Sequence, residues 1–244
     1  MGKSIRRWTE VSSDPNSIAA ISLRESTVHS AHKPPVKDKI EYIVELVRGR
    51  RVLDVGVVAH FVEAERDKSW LHHHVASAAS YCVGVDILPG PVQQLRERGY
   101  NVIVRDITKE PLDEQFDVIV CGDVIEHLPN PQGLFDAATR MLSPGGRLLI
   151  ATPNPFYLHR AYRFMRGRYR DSVDHVMHFD ASNIAEMAER AGMLLDSFRG
   201  VMLDSRSFRS CRSKVKAQFL GLWPILGFSR DSLCNTMLYE CVKG

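Results

Sequence analysis

The sequence predicts an α/β fold built on a mostly parallel β-sheet. Short runs rich in valine and isoleucine alternate with segments of helical periodicity. Strands that are apolar on both faces are typical of a parallel sheet covered by helices on both sides. Glycines end two of the predicted helices, at Gly99 and at Gly145-Gly146, and so mark where the strands resume.

The alternation assigns the elements in order. A helix is expected over 36–47, because Ile40, Ile43 and Val47 fall at helical spacing and Gly49 follows them. Seven strands are expected at 51–55, 81–86, 101–105, 116–121, 147–152, 193–203 and 235–242. Further helices are expected at 70–79, 89–98, 131–142 and 182–191.

The predicted organisation is an arm followed by one domain. Residues 1–35 hold Pro15, Pro34 and Pro35 and show no clean period, so we expect an N-terminal arm with a short helix. Residues 36–244 are expected to form the domain, with cap insertions near 156–180 and 205–230.

Bulk composition excludes several classes of protein. The net charge of +3 is too small to indicate nucleic-acid binding. No apolar run approaches the roughly 18–20 residues of a membrane span. The N-terminus lacks the apolar core of a secretory signal. The five cysteines are odd in number and form no Cys-x-x-Cys, which favours reduced thiols and a cytoplasmic location.

A nucleoside site is indicated where the first two strands end. The first strand ends at Gly56, and the second ends at Asp86, whose carboxylate could accept both hydroxyls of a ribose. The loop Val57-Val58-Ala59-His60-Phe61 lacks the further glycines that let a backbone approach a pyrophosphate. The sequence therefore predicts a nucleoside-bearing cofactor without a pyrophosphate, and S-adenosylmethionine is the candidate.

The segment between the first strand and the acid that ends the second strand is unusually long. Asp86 follows Asp54 by 32 positions, whereas about 20 separate the motif from the acid in a compact unit. The excess falls in a polar insert over 60–69.

Polar side chains follow two later strands. Asp106 could accept from an adenine amino group or cap a turn, and both interpretations stay open. Asp123, Glu126 and His127 follow the buried strand 116–121, which would hold them beside the cofactor. His127 could be a general base, since an unperturbed histidine pKa of about 6.5 suits proton removal at neutral pH, or it could orient the loop by hydrogen bonding.

The remaining histidines do not predict a metal site. His72, His73 and His74 are adjacent on a helix and therefore point in different directions. His175 and His178 could lie on one side of a turn, but no third ligand joins them at convincing spacing. Structural or substrate-contacting roles are favoured, and no metal is expected.

Two stretches combine basic and apolar residues. The segment 156–170 mixes five arginines with aromatic residues, and 205–230 is basic and then apolar. Each could be a solvated helix face with core residues, or a lid that holds an acidic or lipid-linked substrate at a membrane surface. On the second hypothesis the arginines attract an anionic acceptor, while Trp223 and Phe228 supply apolar contact.

The ordered motifs resemble the Rossmann-like S-adenosylmethionine-dependent methyltransferases. The matching runs are Val52-Leu53-Asp54-Val55-Gly56, Val83-Gly84-Val85-Asp86, Asp106, Phe116-Asp117-Val118-Ile119, Asp123-Val124-Ile125-Glu126-His127-Leu128 and Leu142-Ser143-Pro144-Gly145-Gly146. Thr152-Pro153-Asn154-Pro155 is similar to the branch with ubiquinone-biosynthesis O-methyltransferases, and it also occurs in methyltransferases of glycan assembly. The resemblance implies a doubly wound, mostly parallel seven-stranded sheet with an antiparallel last strand and a helical cap.

The resemblance also implies roles for individual residues. The implied cofactor contacts are Asp54 and Gly56 beneath the methionine part, Asp86 on the ribose, Ile87, Asp106 and Ile107 at the adenine, and Gly122 and Asp123 along the methionyl side. The family usually has Gly-x-Gly where this chain has Gly56-Val57-Val58. His60, Trp70 or His72 could compensate by contacting the amino-acid end of the cofactor.

The expected function is methyl transfer from S-adenosylmethionine to a hydroxyl or an amine. The acceptor would be a small molecule or glycan, with an anionic or lipid-linked acceptor and peripheral membrane contact as options. No nucleic-acid partner is expected, and the oligomeric state is left open. The competing interpretations are a catalytically weak or inactive cofactor-binding partner subunit, which the missing glycines favour, and a nicotinamide-dependent oxidoreductase, which they disfavour.

Overall fold

A computed structural model of the protein describes residues 7–58, 70–170, 172–203 and 229–244. Its helices are α1 Ile18–Ala31, α2 Lys39–Val47, α3 Leu71–Ala78, α4 Pro89–Glu97, α5 Pro131–Met141, α6 Leu158–Met165 and α7 Ala181–Arg190. Its strands are β1 Val36–Asp38, β2 Arg51–Val55, β3 Tyr81–Asp86, β4 Val102–Val104, β5 Phe116–Gly122, β6 Leu142–Pro153, β7 Met193–Leu203 and β8 Thr236–Lys243. Short 3-10 turns lie at Trp8–Glu10, Ile125–His127 and Arg230–Leu233.

The described strands form one eight-stranded sheet in the order β1-β7-β8-β6-β5-β2-β3-β4. Strand β8 is antiparallel to both of its neighbours, β6 and β7, and the other pairings are parallel. Alternate residues along the strands point into two cores, one with α5 and α7 and the other with α2 and α3. The predicted α/β fold, with a mostly parallel sheet and an antiparallel last strand, is confirmed.

Strand β1 is an additional strand that the sequence did not predict. The sequence pattern placed 36–38 inside the first helix, but Val36 pairs with Val201 of β7. The two prolines before β1 keep the chain extended. The helix then begins at Lys39, because the Asp38 carboxylate accepts from the backbone N–H groups of Ile40 at 2.7 Å and Glu41 at 3.0 Å.

The parallel register brings the ends of several strands to one edge of the sheet. Val55 is level with Val85 of β3 and with Cys121 of β5, and Gly122 is level with Ala151 of β6. The residues that follow β2, β3, β5 and β6 are therefore neighbours. We call this the carboxyl edge, and it is where ligands of such sheets bind.

The arm expected over 1–35 contains a helix of 14 residues, α1, that packs along β7 and α7. Arg24 of α1 forms ion pairs with Glu186 at 2.6 Å and Glu189 at 2.8 Å, both on α7. These mostly buried pairs attach the arm to the domain.

The first of the two expected cap insertions contains α6, and none of the residues of this helix is buried. The second, 205–230, falls almost entirely outside the described residues. Within the described ranges, no helix combines the length and apolar character that crossing a membrane requires.

Candidate active site

The turn after β2 has a conformation that requires glycine. Gly56 has a φ of +75°, and a Cβ atom placed on it would lie 2.1 Å from Cγ2 of Val124. Its N–H donates to the carbonyl of Val85 at 2.8 Å, which ties the turn to β3. The site therefore needs this glycine both for its backbone angle and for its close approach to the loop after β5.

Asp86, at the end of β3, holds the loop that lacks the usual glycines. One oxygen of its half-buried carboxylate accepts from the N–H of Val58 at 2.9 Å, and the other accepts from the N–H of Leu88 at 3.1 Å. Each oxygen keeps a further lone pair. Ile87, expected against an adenine, is 65% exposed next to this carboxylate. Asp86 can therefore position the loop and accept from a ribose at the same time.

Asp54 and His72 form a buried pair behind the loop. The carboxylate of Asp54 lies 2.9 Å from Nδ1 of His72, and both side chains are almost fully buried. The indole N–H of Trp70, itself 7% exposed, donates to the carbonyl of Val57 at 2.9 Å. Contact of either ring with the amino-acid end of the cofactor, as the sequence suggested, is not what this geometry offers, because both rings support the loop from the interior. Asp54 likewise serves here as the partner of a buried histidine.

Asp106 and Ile107, both expected at the adenine, have different surroundings. Asp106 accepts from the backbone and hydroxyl of Thr108 and pairs with Lys109 at 2.8 Å. The hydrogen bond from Lys109 holds the pKa of Asp106 below its ordinary value. Ile107 is only 2% exposed and packs in the core. Asp106 therefore caps a turn, which is one of the two roles left open, and the Ile107 side chain is directed inward instead of toward a ligand.

The predicted residue Asp123, at the end of β5, has a partner that the sequence did not indicate. Asp123 is exposed, has a φ of +56°, and accepts from Nζ of Lys39 at 2.5 Å. Lys39 is the first residue of α2, and its side chain is 12% exposed. A cation is unfavourable at a helix N-terminus, which was the available signal that Lys39 has another partner. Gly122 lies against Leu71, where a Cβ atom would be 2.7 Å from the leucine side chain.

Glu126 is a buried acid at the end of β5. It is 1% exposed, and its Oε2 accepts from the hydroxyl of Thr152 at 2.9 Å. Its Oε1 is also buried, and no described residue forms a hydrogen bond with it. Burial raises the pKa of Glu126 from 4.5 to about 7. A carboxyl group in this state can hold a proton near neutral pH.

His127 is oriented by the cap. Its Nδ1 lies 3.2 Å from the carbonyl oxygen of Asp174 and 3.4 Å from the carboxylate of the same residue. The ring of His175 contacts the His127 ring edge to face, with centroids 4.9 Å apart. Because a carbonyl only accepts, Nδ1 carries the hydrogen in the neutral ring and Nε2 has the lone pair. His127 therefore has both an orienting hydrogen bond and a nitrogen that can accept a proton.

Two ligand-type side chains of the loop after β5 lie beside His175 of the cap. Ligand atoms of Glu126, His127 and His175 all lie within 4.8 Å of one another. The sequence offered His175 no partner at suitable spacing, since the cap and the loop after β5 meet only in the fold. Two imidazoles and a carboxylate are donors that transition metals accept. These three residues therefore bring metal-type donor atoms together, and the expectation of no metal site stays a prediction.

The structure thus brings Gly56, Asp86, Gly122, Asp123, His127 and the unpredicted Lys39 to the carboxyl edge. It does not bring Trp70, His72 or Ile107 to an open surface there. His60, the insert 60–69, Trp223 and Phe228 lie outside the described residues.

An α/β sheet with a reversed last strand, a glycine turn after β2 and an acid ending β3 defines a Rossmann-like nucleoside-binding enzyme. Residues 29–197 match the sequence model of the methyltransferase domain family. The chain belongs to this family of S-adenosylmethionine-dependent methyltransferases, and the expected family and cofactor class are confirmed.

Relatives with similar sequences agree with the assignment to this family. The ubiquinone biosynthesis O-methyltransferase of Pseudomonas fluorescens strain Pf0-1 is 35% identical over 126 residues, which are 48% of this chain and 50% of that protein. The protein of the same name from strain SBW25 is 29% identical over 179 residues, 67% of this chain and 73% of its own. The chain spans about half the length of the first of these relatives.

Solved structures show the same fold. Magnesium protoporphyrin IX methyltransferase from Synechocystis PCC 6803, solved with bound SAH, has a TM-score of 0.55 at 15% identity, over 98% of this chain and 93% of its own. A SAM-dependent methyltransferase from Thermotoga maritima has a TM-score of 0.57 at 13% identity, over 92% of both chains. At these identities the likeness extends to the fold alone.

Proposed function

We propose that the protein transfers a methyl group from S-adenosylmethionine to a hydroxyl, or an amine, of a small-molecule, glycan or lipid-linked acceptor. The observation that carries the proposal is the meeting of Gly56, Asp86 and His127 at the carboxyl edge. A turn shaped by glycine, an acid with free lone pairs and an oriented histidine supply cofactor contact and proton acceptance in one place.

The cofactor would lie along this edge with its ribose at Asp86. Its adenine would lie over the exposed Ile87. The ammonium of Lys39 is well placed to attract the carboxylate of the methionine part, because it stands at the end of β5 beside Asp123. This cation would supply part of the attraction that further loop glycines provide in the family.

The reaction requires little covalent chemistry from the protein. The methyl group of a sulfonium is already activated, so alignment of nucleophile, methyl carbon and sulfur, together with exclusion of water, accounts for most of the rate. When bound at this edge, S-adenosylmethionine would supply an activated methyl group to the acceptor oxygen and would leave as the neutral thioether. The hydroxyl proton passes to Nε2 of His127, while Asp174 keeps the ring in place through Nδ1.

The hydroxyl class of acceptor has support from the relatives. The names of the Pseudomonas proteins specify O-methylation. A base is useful for a hydroxyl, whereas an amine that deprotonates readily needs none, so the oriented His127 also favours O-methylation.

A binding subunit without activity is the second candidate. The observation in its favour is that the loop amide of Val58 is already bonded to Asp86 instead of being open to a ligand. Calorimetric titration with S-adenosylhomocysteine and with NAD tests the cofactor. Binding of NAD without S-adenosylhomocysteine would overturn the proposal.

Transfer of a labelled methyl group to a panel of sugars, quinols and lipid-linked glycans tests the activity. His127→Ala should lower the rate of O-methylation while leaving S-adenosylhomocysteine affinity unchanged. Cofactor binding with no transfer to any of these acceptors would favour the inactive subunit.

A further inference from the structure

The segment 156–170, which we call the arginine segment, contains a cavity lined by cations. It holds five arginines and neither aspartate nor glutamate. The cavity measures about 360 Å³, and its lining is His159, Tyr162, Arg163, Arg166 and Arg168. Three guanidinium groups around one cavity repel one another unless an anion lies between them.

No ion pair between described residues neutralises these cations. The paired carboxylates of the described chain belong to other cations, and Arg163, Arg166 and Arg168 take part in none of those pairs. Among the described residues, the cavity is therefore lined by three arginines that no carboxylate neutralises.

The walls of the cavity are held by the backbone. Gly167 has a φ of +71° and reverses the chain after α6. The N–H of Arg168 donates to the carbonyl of Arg163 at 2.9 Å, and the Arg163 guanidinium donates to the carbonyl of Arg170 at 3.0 Å. The turn thus fixes Arg166 and Arg168 beside α6 before any ligand binds.

We propose that this cavity binds a phosphate group. Arginine forks match phosphate oxygens bidentately, and the Tyr162 hydroxyl and His159 ring add further donors. Leu158, Phe164 and Met165 are 41%, 64% and 73% exposed around the same helix, so the phosphate would be an ester attached to an apolar group. As a subsite for the acceptor, this inference rests on the proposed function; as a phosphate site it stands without it.

The arginine segment follows directly on the carboxyl edge. Strand β6 ends there at Pro153, and α6 begins at Leu158. Gly122 at the end of β5 is level with Ala151 of β6. A phosphate in the arginine segment would therefore anchor an acceptor at the edge where His127 lies.

The test uses a double variant and a matched control. Arg166→Gln/Arg168→Gln removes two charges from the cavity, and Arg96→Gln/Arg140→Gln removes two exposed charges elsewhere. Inorganic pyrophosphate binding is measured by calorimetry, and vesicle binding by co-sedimentation with phosphatidylcholine alone or mixed with phosphatidylglycerol. We expect the cavity variant to bind pyrophosphate at least about tenfold more weakly than the wild type, with the control unchanged.

The outcomes separate the sources of the phosphate. Loss of binding to both pyrophosphate and anionic vesicles supports a lipid headgroup, whereas loss for pyrophosphate alone supports a soluble phosphate ester. Absence of pyrophosphate binding by the wild type, or equal weakening in the control, overturns the inference. S-adenosylhomocysteine affinity, measured on the same samples, reports on the proposed function independently of either result.

Discussion

Asp86 is the residue on which the proposed cofactor site depends most. Its two oxygens accept from the N–H groups of Val58 and Leu88. In the complex the remaining lone pairs would accept from two ribose hydroxyls. Asp86→Ala removes all four interactions, so it should loosen the loop and weaken the cofactor.

The size of the effect follows from the number of bonds. A hydrogen bond to a charged group contributes about 1.5–3 kcal/mol. Two ribose bonds at the lower value amount to about 3 kcal/mol, or roughly a 100-fold loss of affinity. Because the carboxylate is half-buried and partly screened by solvent, we expect a loss between about tenfold and 100-fold. Asp86→Asn keeps one oxygen acceptor and should fall between the wild type and Asp86→Ala.

Calorimetry with S-adenosylhomocysteine measures the affinity, and circular dichroism checks that each variant is folded. Asp113→Ala, which removes an exposed carboxylate, is the matched control. A folded Asp86→Ala protein with wild-type affinity would show that the ribose is held elsewhere.

Three further predictions concern neighbouring residues. Gly56→Ala should destabilise the fold by about 2 kcal/mol or more in urea titrations, because it adds a clash with Val124 to the strain of the left-handed backbone. Gly49→Ala is the control: Gly49 has a φ of +68° and open space around it, so the substitution should destabilise the fold by only about 1 kcal/mol. Equal losses of stability for the two variants would contradict the clash. Burial raises the pKa of Glu126 from 4.5 to about 7, so the unfolded chain ionises first, and stability in the presence of a chelator should fall by about 3 kcal/mol as the pH rises through that window. Glu126→Gln should remove this pH dependence, and an unchanged slope would refute it. Lys39→Met should weaken S-adenosylhomocysteine about fivefold or more through the lost ammonium charge, whereas an unaltered dissociation constant would exclude Lys39 from the cofactor site.

The fold was predictable because its signals are local. Strand and helix periods, with glycines between them, located most strands and the helices between them to within a few residues. Two strands differ: β6 begins at Leu142, five residues before the predicted 147–152, and β1 has only three residues, which are too few to show a period and pair only with the distant β7. The length of α1 was also missed, since this helix is barely amphipathic and takes its stability from packing and from Arg24.

The sequence indicated where the candidate site lies, but it did not indicate which partners its side chains have. Strand ends identified Asp86 and His127, because the carboxyl ends of parallel strands meet at one edge. Sequence could not show that His72 would turn inward to Asp54, or that Lys39 would reach Asp123 from a separate element. Both pairings depend on where the helices pack on the sheet, and no sequence motif predicts that position.

The position of β8 has a consequence for how the molecule assembles. This strand lies between β6 and β7 and is last in the chain, so β7 and β1 join the sheet only through it. During synthesis the strands from β2 to β6 can pair with one another first, because they are contiguous in the sheet as β6-β5-β2-β3-β4, whereas β7 and β1 wait for β8. The edge that carries Gly56, Asp86 and Asp123 therefore belongs to the early-forming part, whereas β1, which pairs with β7, belongs to the late one. The pairing of Val36 with Val201 would then mark completion of the sheet, and its formation offers a kinetic probe of the last folding step.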